Sequence, residues 1–489
     1  MSMKKTLVTL AIASSVSASA CAFAFGQQFD FGEQVEFLAK SQSLDLFGVY
    51  RPLDDSSTLS LTAAQANANP AKLVKLANGL TAKVVSADAG LGPNIDMMAL
   101  WPNDSHPTHL IACNEQGSAQ VALQRINLST GAVANIISSG LSSCDPVRRT
   151  AWGTIIFGEE NGSNGRIFEL LDPLTTTGVT VSGSGAGTTT SDPGHVAVRP
   201  ALGQLSFEGI ALYPNGVMYF GDENRPGNGN PGGAYFKFIP STLWSGGVPI
   251  STLADSPLVA GNIYGMRVGK RSGNTDYGQG NEFGRGTWIP VTGAAPINLR
   301  AAASTLKLTS YYRPEDLDID LAVLEDGDVR FCGNNTGEDT QGGDNHWGET
   351  ICITDGTLAE AADKVTLSTP EYQPLVFGNF DMAMMDNIAY QPGTGNWLVN
   401  EDGEGPVATP ARNNDIWSCL DDGDDKDILA DACVKVISLN DLNAESTGGI
   451  FDATGKRYFV SIQHNVTGHG VILEINGWGG IMHKHHNHH

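Results

Sequence analysis

IALYPNGVMYFGDEN, residues 210–224, is the stretch that decides how this chain folds. An apolar run enters Pro214-Asn215-Gly216, a β-rich run follows, and the unit ends on Asp222-Glu223-Asn224. Asn and Gly tolerate positive φ, so the middle step reads as a hairpin turn. The unit recurs as LAVLEDGDVRFCGNN (321–335), IAYQPGTGNWLVNED (388–402) and GIFDATGKRYFVSIQHN (449–465). Looser copies are MALWPNDSHPTHLIACNEQ (98–116) and RRTAWGTIIFGEEN (148–161). After each copy comes a variable loop and one more strand, such as GAYFKFIPS (233–241) or GVILEING (470–477). Six hairpin-plus-strand units predict an all-β fold, a six-bladed β-propeller with long inter-strand insertions. A pair of β-sandwiches is the alternative, and it leaves the shared polar ending of six strands without a reason.

Between the units, the Gly/Ser/Thr-rich stretch 179–192 reads as a surface loop, and 242–310 as extra strands around a site mouth. The Ala-rich part of 26–90 reads as a helix outside the ring. Residues 25–481 read as one β-propeller catalytic domain, between a signal peptide at 1–24 and a His-rich tail at 482–489. The leader has Lys4-Lys5, an apolar stretch from Leu7, and cleavage sites after Ala20 or Ala24. Cys21, after Ala18-Ser19-Ala20, offers lipidation instead. Either way the expected location is periplasmic or secreted, in a bacterium, with no transmembrane segment.

The chain has 489 residues, with 29 Lys+Arg against 53 Asp+Glu and a net charge of −24. That polyanion excludes nucleic acid as a partner, and 58 Gly argue against a helical bundle or coiled coil. Outside the leader there are six Cys. Cys332 with Cys352 and Cys419 with Cys433 flank acidic loops and read as disulfides, and Cys113 with Cys144 is a third pairing left open.

In a propeller, equivalent strand ends converge on one mouth of the central channel. The shared ending places Asn114-Glu115, Glu159-Glu160, Asp222-Glu223, Asn334-Asn335, Glu401-Asp402 and Gln463-His464 around one axis. So many carboxylates in one place need cations. Hard oxygen donors favour Ca2+ or Mg2+, and an added thiolate would admit iron. Just ahead of three hairpins stand Glu208, then Arg313 with Glu315, then Asp386 with Asn387. An arginine beside metal-binding carboxylates makes sense as a clamp on a phosphate or carboxylate substrate.

These stretches, taken in order, resemble the PhoX-type alkaline phosphatases: Cys144 followed by AWGTIIFGEEN, then SFEGIAL, YFGDEN, YYRPEDL, NHWGETICI, MDNIAY and FVSIQHN. The resemblance implies an exported hydrolase of phosphate esters with a calcium and iron (Fe3+) centre. It implies Cys144 as an iron-ligating thiolate, Glu208 and Glu315 as metal-bridging carboxylates, and Arg313 with Glu315 as the catalytic pair on the phosphate. Glu159 or Glu160, and Asp222 or Glu223, would complete calcium sites, with Glu115, Asp386, Asn387, Asp402 and His464 as supporting groups. Departures from the family are the absent twin-Arg leader, Asp145-Pro146-Val147-Arg148-Arg149 after Cys144, and Phe207, Met385 and Asn465 at positions where relatives carry His, Pro and Pro. Competing readings are a non-catalytic, calcium-stabilised binding propeller and a calcium-only lactonase or phosphotriesterase. The histidines of the tail are excluded from the site.

Overall fold

The computed structural model describes residues 37, 39–226, 231–269, 283–337, 347–403, 411–421 and 429–479. The leader, Cys21 and the His-rich tail lie outside the described residues. Six innermost strands, Ile95–Trp101, Cys144–Arg149, Phe207–Leu212, Pro314–Ile319, Met385–Gln391 and Glu445–Phe451, pack each against the next and the last against the first. They define blades 1 to 6 around a central channel, as the repeated hairpins predict.

Each inner strand pairs antiparallel with the second strand of its own unit, and further strands are added outward. Blade 3 has five strands because the 242–310 insertion contributes Gly261–Val268 and Gly284–Val291. Its outer edge meets blade 4 through Gly284↔Tyr372 and Arg285↔Glu371, which joins the two into one nine-stranded sheet. Blade 6 takes its outermost strand from the N-terminal side: Thr81–Ser86 pairs with Val471–Asn476. That pairing closes the ring with strands from both ends of the chain.

The apolar core is divided into six clusters, one in each wedge between neighbouring blades. Phe207, Ile210, Ile156 and Ile167 fill the wedge between blades 2 and 3, and Tyr219, Phe331, Ile351 and Tyr372 the next one. A strand inside a blade is buried on both faces, so its apolar residues run on instead of alternating with polar ones. Trp397 and Val399 face blade 4 while Leu398 faces blade 6.

Three expectations change. The stretch 179–192 is not a plain loop: Val179–Ser182 lies parallel to blade 1's outer strand and pairs back with Thr189–Thr190. LAVLE is one helical turn, Leu321–Glu325, because the Asp320 carboxylate accepts from the Ala322 and Val323 N–H groups as an N-cap. The inner strand of blade 4 is therefore the preceding PEDLDI. In the 26–90 region, Ala63–Ala68 is helical with a Thr62/Gln65 capping box, but Val74–Leu76 and Thr81–Ser86 are strands added to blades 5 and 6. No described helix is long and apolar enough to cross a membrane.

Candidate metal and phosphate site

In blades 1 to 5 the inner strand slips by one residue against its partner at the same place, just after its first residue. A bulge bends a strand and re-aims the side chains within it. The residues it re-aims are Asp96, Asp145, Glu208, Glu315 and Asp386. In blade 6 the slip falls later, between Thr447 and Ile450, and Glu445 at the start of the strand brings the carboxylate.

The partner strands end on residue pairs whose members point in opposite directions. The first member turns into the blade and meets an arginine: Glu159 with Arg166 at 2.6 Å, Asp222 with Arg300 at 2.7 Å, Glu401 with Arg412 at 2.6 Å. The second member is held at the mouth by its own N–H, which bonds the carbonyl just ahead of the inner strand. Glu115 bonds Asn94 at 2.8 Å, Glu160 bonds Ser143 at 2.8 Å, Glu223 bonds Ser206 at 3.1 Å and Asp402 bonds Met384 at 2.8 Å. The result is a cavity of about 520 Å³ lined by Glu115, Glu160, Glu223, Asp402, Glu445, Arg313 and His464, among others. Ser143, Arg313, Met384 and His464 hold positive φ without being glycine, so local backbone strain gathers at this mouth.

Two groups of three carboxylates stand out within the ring. Asp145, Glu160 and Glu208 bring oxygens within 4.8 Å of one another, and so do Asp386, Asp402 and Glu445. Burial, reinforced by neighbouring carboxylates, pushes Asp145, Glu208, Asp386 and Glu445 well above the ordinary carboxyl range. Burial and the charge of Glu223 raise Glu160 to about 10. Burial raises Glu315 to about 7 even though the Arg313 charge pulls it down. Arg313 is held by Glu223 at 2.8 Å and Glu315 at 3.1 Å, with Asp402 at 3.8 Å. Thr336 donates to Glu315 Oε1 at 2.8 Å, the same oxygen that faces Arg313. One oxygen of Asp145, Oδ1, is buried with no hydrogen-bond partner. Oxygen-only donors that repel one another and leave a buried lone pair unused fit hard cations, which would take the place of the protons.

Of the sequence-predicted residues, Glu115, Glu160, Glu208, Glu223, Arg313, Glu315, Asp386, Asp402 and His464 come together. Asn387 lies one layer deeper, donating to Asp96 at 3.4 Å. Glu159 and Asp222 do not reach the mouth, because strand alternation turns them onto Arg166 and Arg300. Asn334 and Asn335 do not either. Asn334 donates to the Asp386 and Asn387 carbonyls, and Asn335 to Glu349. Cys144 is not a thiolate ligand in this structure: its sulfur is bonded to Cys113. The expected Cys332–Cys352 and Cys419–Cys433 pairs are formed as well. Sequence reasoning missed Asp96, Asp145 and Glu445. The first two carry a spacing signal, since each stands two residues before the apolar residue that resumes pairing, Met98 and Val147, as do Glu208, Glu315 and Asp386 before theirs.

Fold and site together define a six-bladed propeller whose central mouth gathers carboxylates around Arg313. The pattern of the family described as alkaline phosphatase PhoX matches residues 147–465, and the chain belongs to that family. Among solved structures, Pseudomonas fluorescens PhoX in complex with vanadate, a transition-state analogue, is similar at a TM-score of 0.60 and 16% identity, covering 89% of this chain and 100% of that one. At that identity the likeness supports the fold. Looser matches, each at a TM-score of 0.40, are a PQQ-bound aldose sugar dehydrogenase from Streptomyces coelicolor (15% identity, 82% of this chain, 99% of that one) and a gluconolactonase from Xanthomonas campestris (11%, 87% and 96%). They speak to neither the site nor the reaction. No curated protein matches the chain.

Proposed function

We propose that this protein hydrolyses phosphate esters outside the cytoplasm, at a centre of hard cations held by Asp145, Glu160, Glu208 and Glu315 and by Asp386, Asp402 and Glu445. The observation that carries the reading is that two carboxylate triads each send members, Glu160 from one and Asp402 and Glu445 from the other, into the cavity that Arg313 lines. Ca2+ suits the oxygen-only donor set. Fe3+ enters only on carboxylate oxygens, because the Cys144 sulfur is bonded to Cys113. Bound cations would supply charge neutralisation at the phosphoryl group and an oxygen nucleophile active near neutral pH.

The protein's own groups do the positioning. Glu223 and Glu315 hold the Arg313 guanidinium from one side, which leaves its plane set at the cavity wall for equatorial phosphoryl oxygens. Thr336 fixes Glu315 in turn. His464, about half exposed with Nε2 at 3.2 Å from Glu445, is the group placed to hold a proton for the leaving oxygen. The disulfide at Cys144 favours one variant of this reading, a calcium-only hydrolase of phosphotriesters, and a substrate profile separates the two.

The test is hydrolysis of a small phosphate monoester by protein lacking residues 482–489, with calcium and iron content measured by mass spectrometry. Chelation should abolish turnover and added calcium restore it. Arg313→Ala should lower kcat by roughly 10²-fold, the scale of losing one preorganised charge-stabilising donor. Full activity after exhaustive chelation would overturn the proposal.

A further inference from the structure

Arg148 lies on the innermost strand of blade 2, three residues beyond Asp145, with its side chain 19% exposed. Its guanidinium crosses the channel beneath the carboxylates. Nε donates to the Ile210 carbonyl of blade 3 at 3.0 Å, and Nη2 to the Leu317 carbonyl and Asp316 Oδ1 of blade 4 at 2.6 and 2.7 Å. Nη1 donates to its own Val147 carbonyl at 3.1 Å and lies 3.3 Å from the Met97 sulfur of blade 1. Asp316 carries the link onward, because its Oδ2 accepts from the Ile388 N–H of blade 5 at 3.3 Å. Every one of these partners sits within two residues of a bulge carboxylate: Met97 follows Asp96, Ile210 follows Glu208, Asp316 follows Glu315 and Ile388 follows Asp386.

We infer that Arg148 is a positioning residue, a cross-channel tie that holds the bulges of five blades together so that their carboxylates face one centre. This rests on the cation-centre reading above. The physical case is that buried carboxylates repel one another and would spread their strands if nothing joined them. Five blades meeting on one fixed cation and its paired Asp316, four through backbone groups and blade 1 through the Met97 sulfur, resist that spreading. A charged hydrogen-bond fork suits the task, because an ammonium cannot bond three carbonyls and a carboxylate in one plane. The arginine acts on the site only through Asp316 and the strands.

The experiment compares wild type with Arg148→Met, Arg148→Lys and Asp316→Asn. Readouts are amide hydrogen exchange over 207–212, 314–319 and 385–391 in chelated protein, calcium affinity by calorimetry, and thermal unfolding. Arg148→Met should speed exchange in all three strands and weaken calcium binding at least tenfold. Arg148→Lys should recover little of this, and Asp316→Asn should loosen blades 4 and 5 more than blade 3. Unchanged exchange and affinity in folded Arg148→Met would overturn the inference, as would a drop in melting temperature with calcium affinity intact. Asp316→Asn keeps the test decisive if Arg148→Met does not fold, since wild-type exchange in that variant would also overturn it. A wild-type chain that binds no calcium would instead defeat the cation-centre reading, and would be recognised by that measurement alone.

Discussion

Glu401 is fully buried and accepts from both Arg412 Nη groups, from the Ala383 and Asp415 N–H groups and from Trp417 Nε1. Removing the arginine would strand a buried carboxylate, a loss of roughly 3–5 kcal/mol. Arg412→Met should therefore unfold at markedly lower urea than wild type, with Glu401→Gln added to Arg412→Met recovering part of the difference. If Arg412→Met is as stable as wild type, the pair does not lock the blade. The sequence shows both carboxylates of Glu401-Asp402 but not which one faces the mouth. That choice depends on strand register and on arginines 7, 78 and 11 residues away from Glu159, Asp222 and Glu401. Arg313 and Glu315 were legible because a lone cation among acids is unusual in composition, whatever the register.

At the scale of elements, hairpins could be read because turn chemistry is local, whereas bulges could not, because a slip shows only against the partner strand. Asp96 and Asp145 were lost for this reason, since their two-residue spacing from Met98 and Val147 gains its meaning only once the slip is seen. The blade 4 helix at Leu321–Glu325 hid because its apolar letters equally suit a strand, and a single Asp320 cap decides the matter. The Cys113–Cys144 bond joins the second strand of blade 1 to the inner strand of blade 2, closing a separation of 31 residues. Replacing both by Ser should cost about 2–4 kcal/mol of stability and leave calcium content unchanged. An iron content that falls with the double variant while the melting curve stays put would instead place a sulfur at the centre.

Across the whole molecule, the carboxylate ring sets a pH dependence whose sign follows from its shifts. Glu315 moves from an ordinary 4.5 to about 7 on folding, and Glu160 from 4.5 to about 10. Between those limits the folded chain holds protons that the unfolded chain has lost, so stability falls as pH rises. Chelated protein should show a melting temperature that declines from about pH 5 toward pH 9, and saturating calcium should flatten the decline. A chelated protein that gains stability over that range would contradict the crowding of buried acids at the mouth. Ring closure offers a second check: Val84 pairs with Leu473, so Val84→Pro should unfasten blade 6 and broaden unfolding without touching the acidic residues.

The fastening of Thr81–Ser86 to Val471–Asn476 also sets an order in time. A ribosome delivers residue 81 long before residue 476, so blades 1 to 5 are available as an open arc while blade 6 waits for its partner strands. Asp386 and Asp402 are then made before Glu445, and Asp96 before the blade 6 strand that lies beside it. Under the proposed cation centre, capture of cations at full strength would accordingly be coupled to the final docking step. Cations present during refolding should speed that last step and leave the early blades alone.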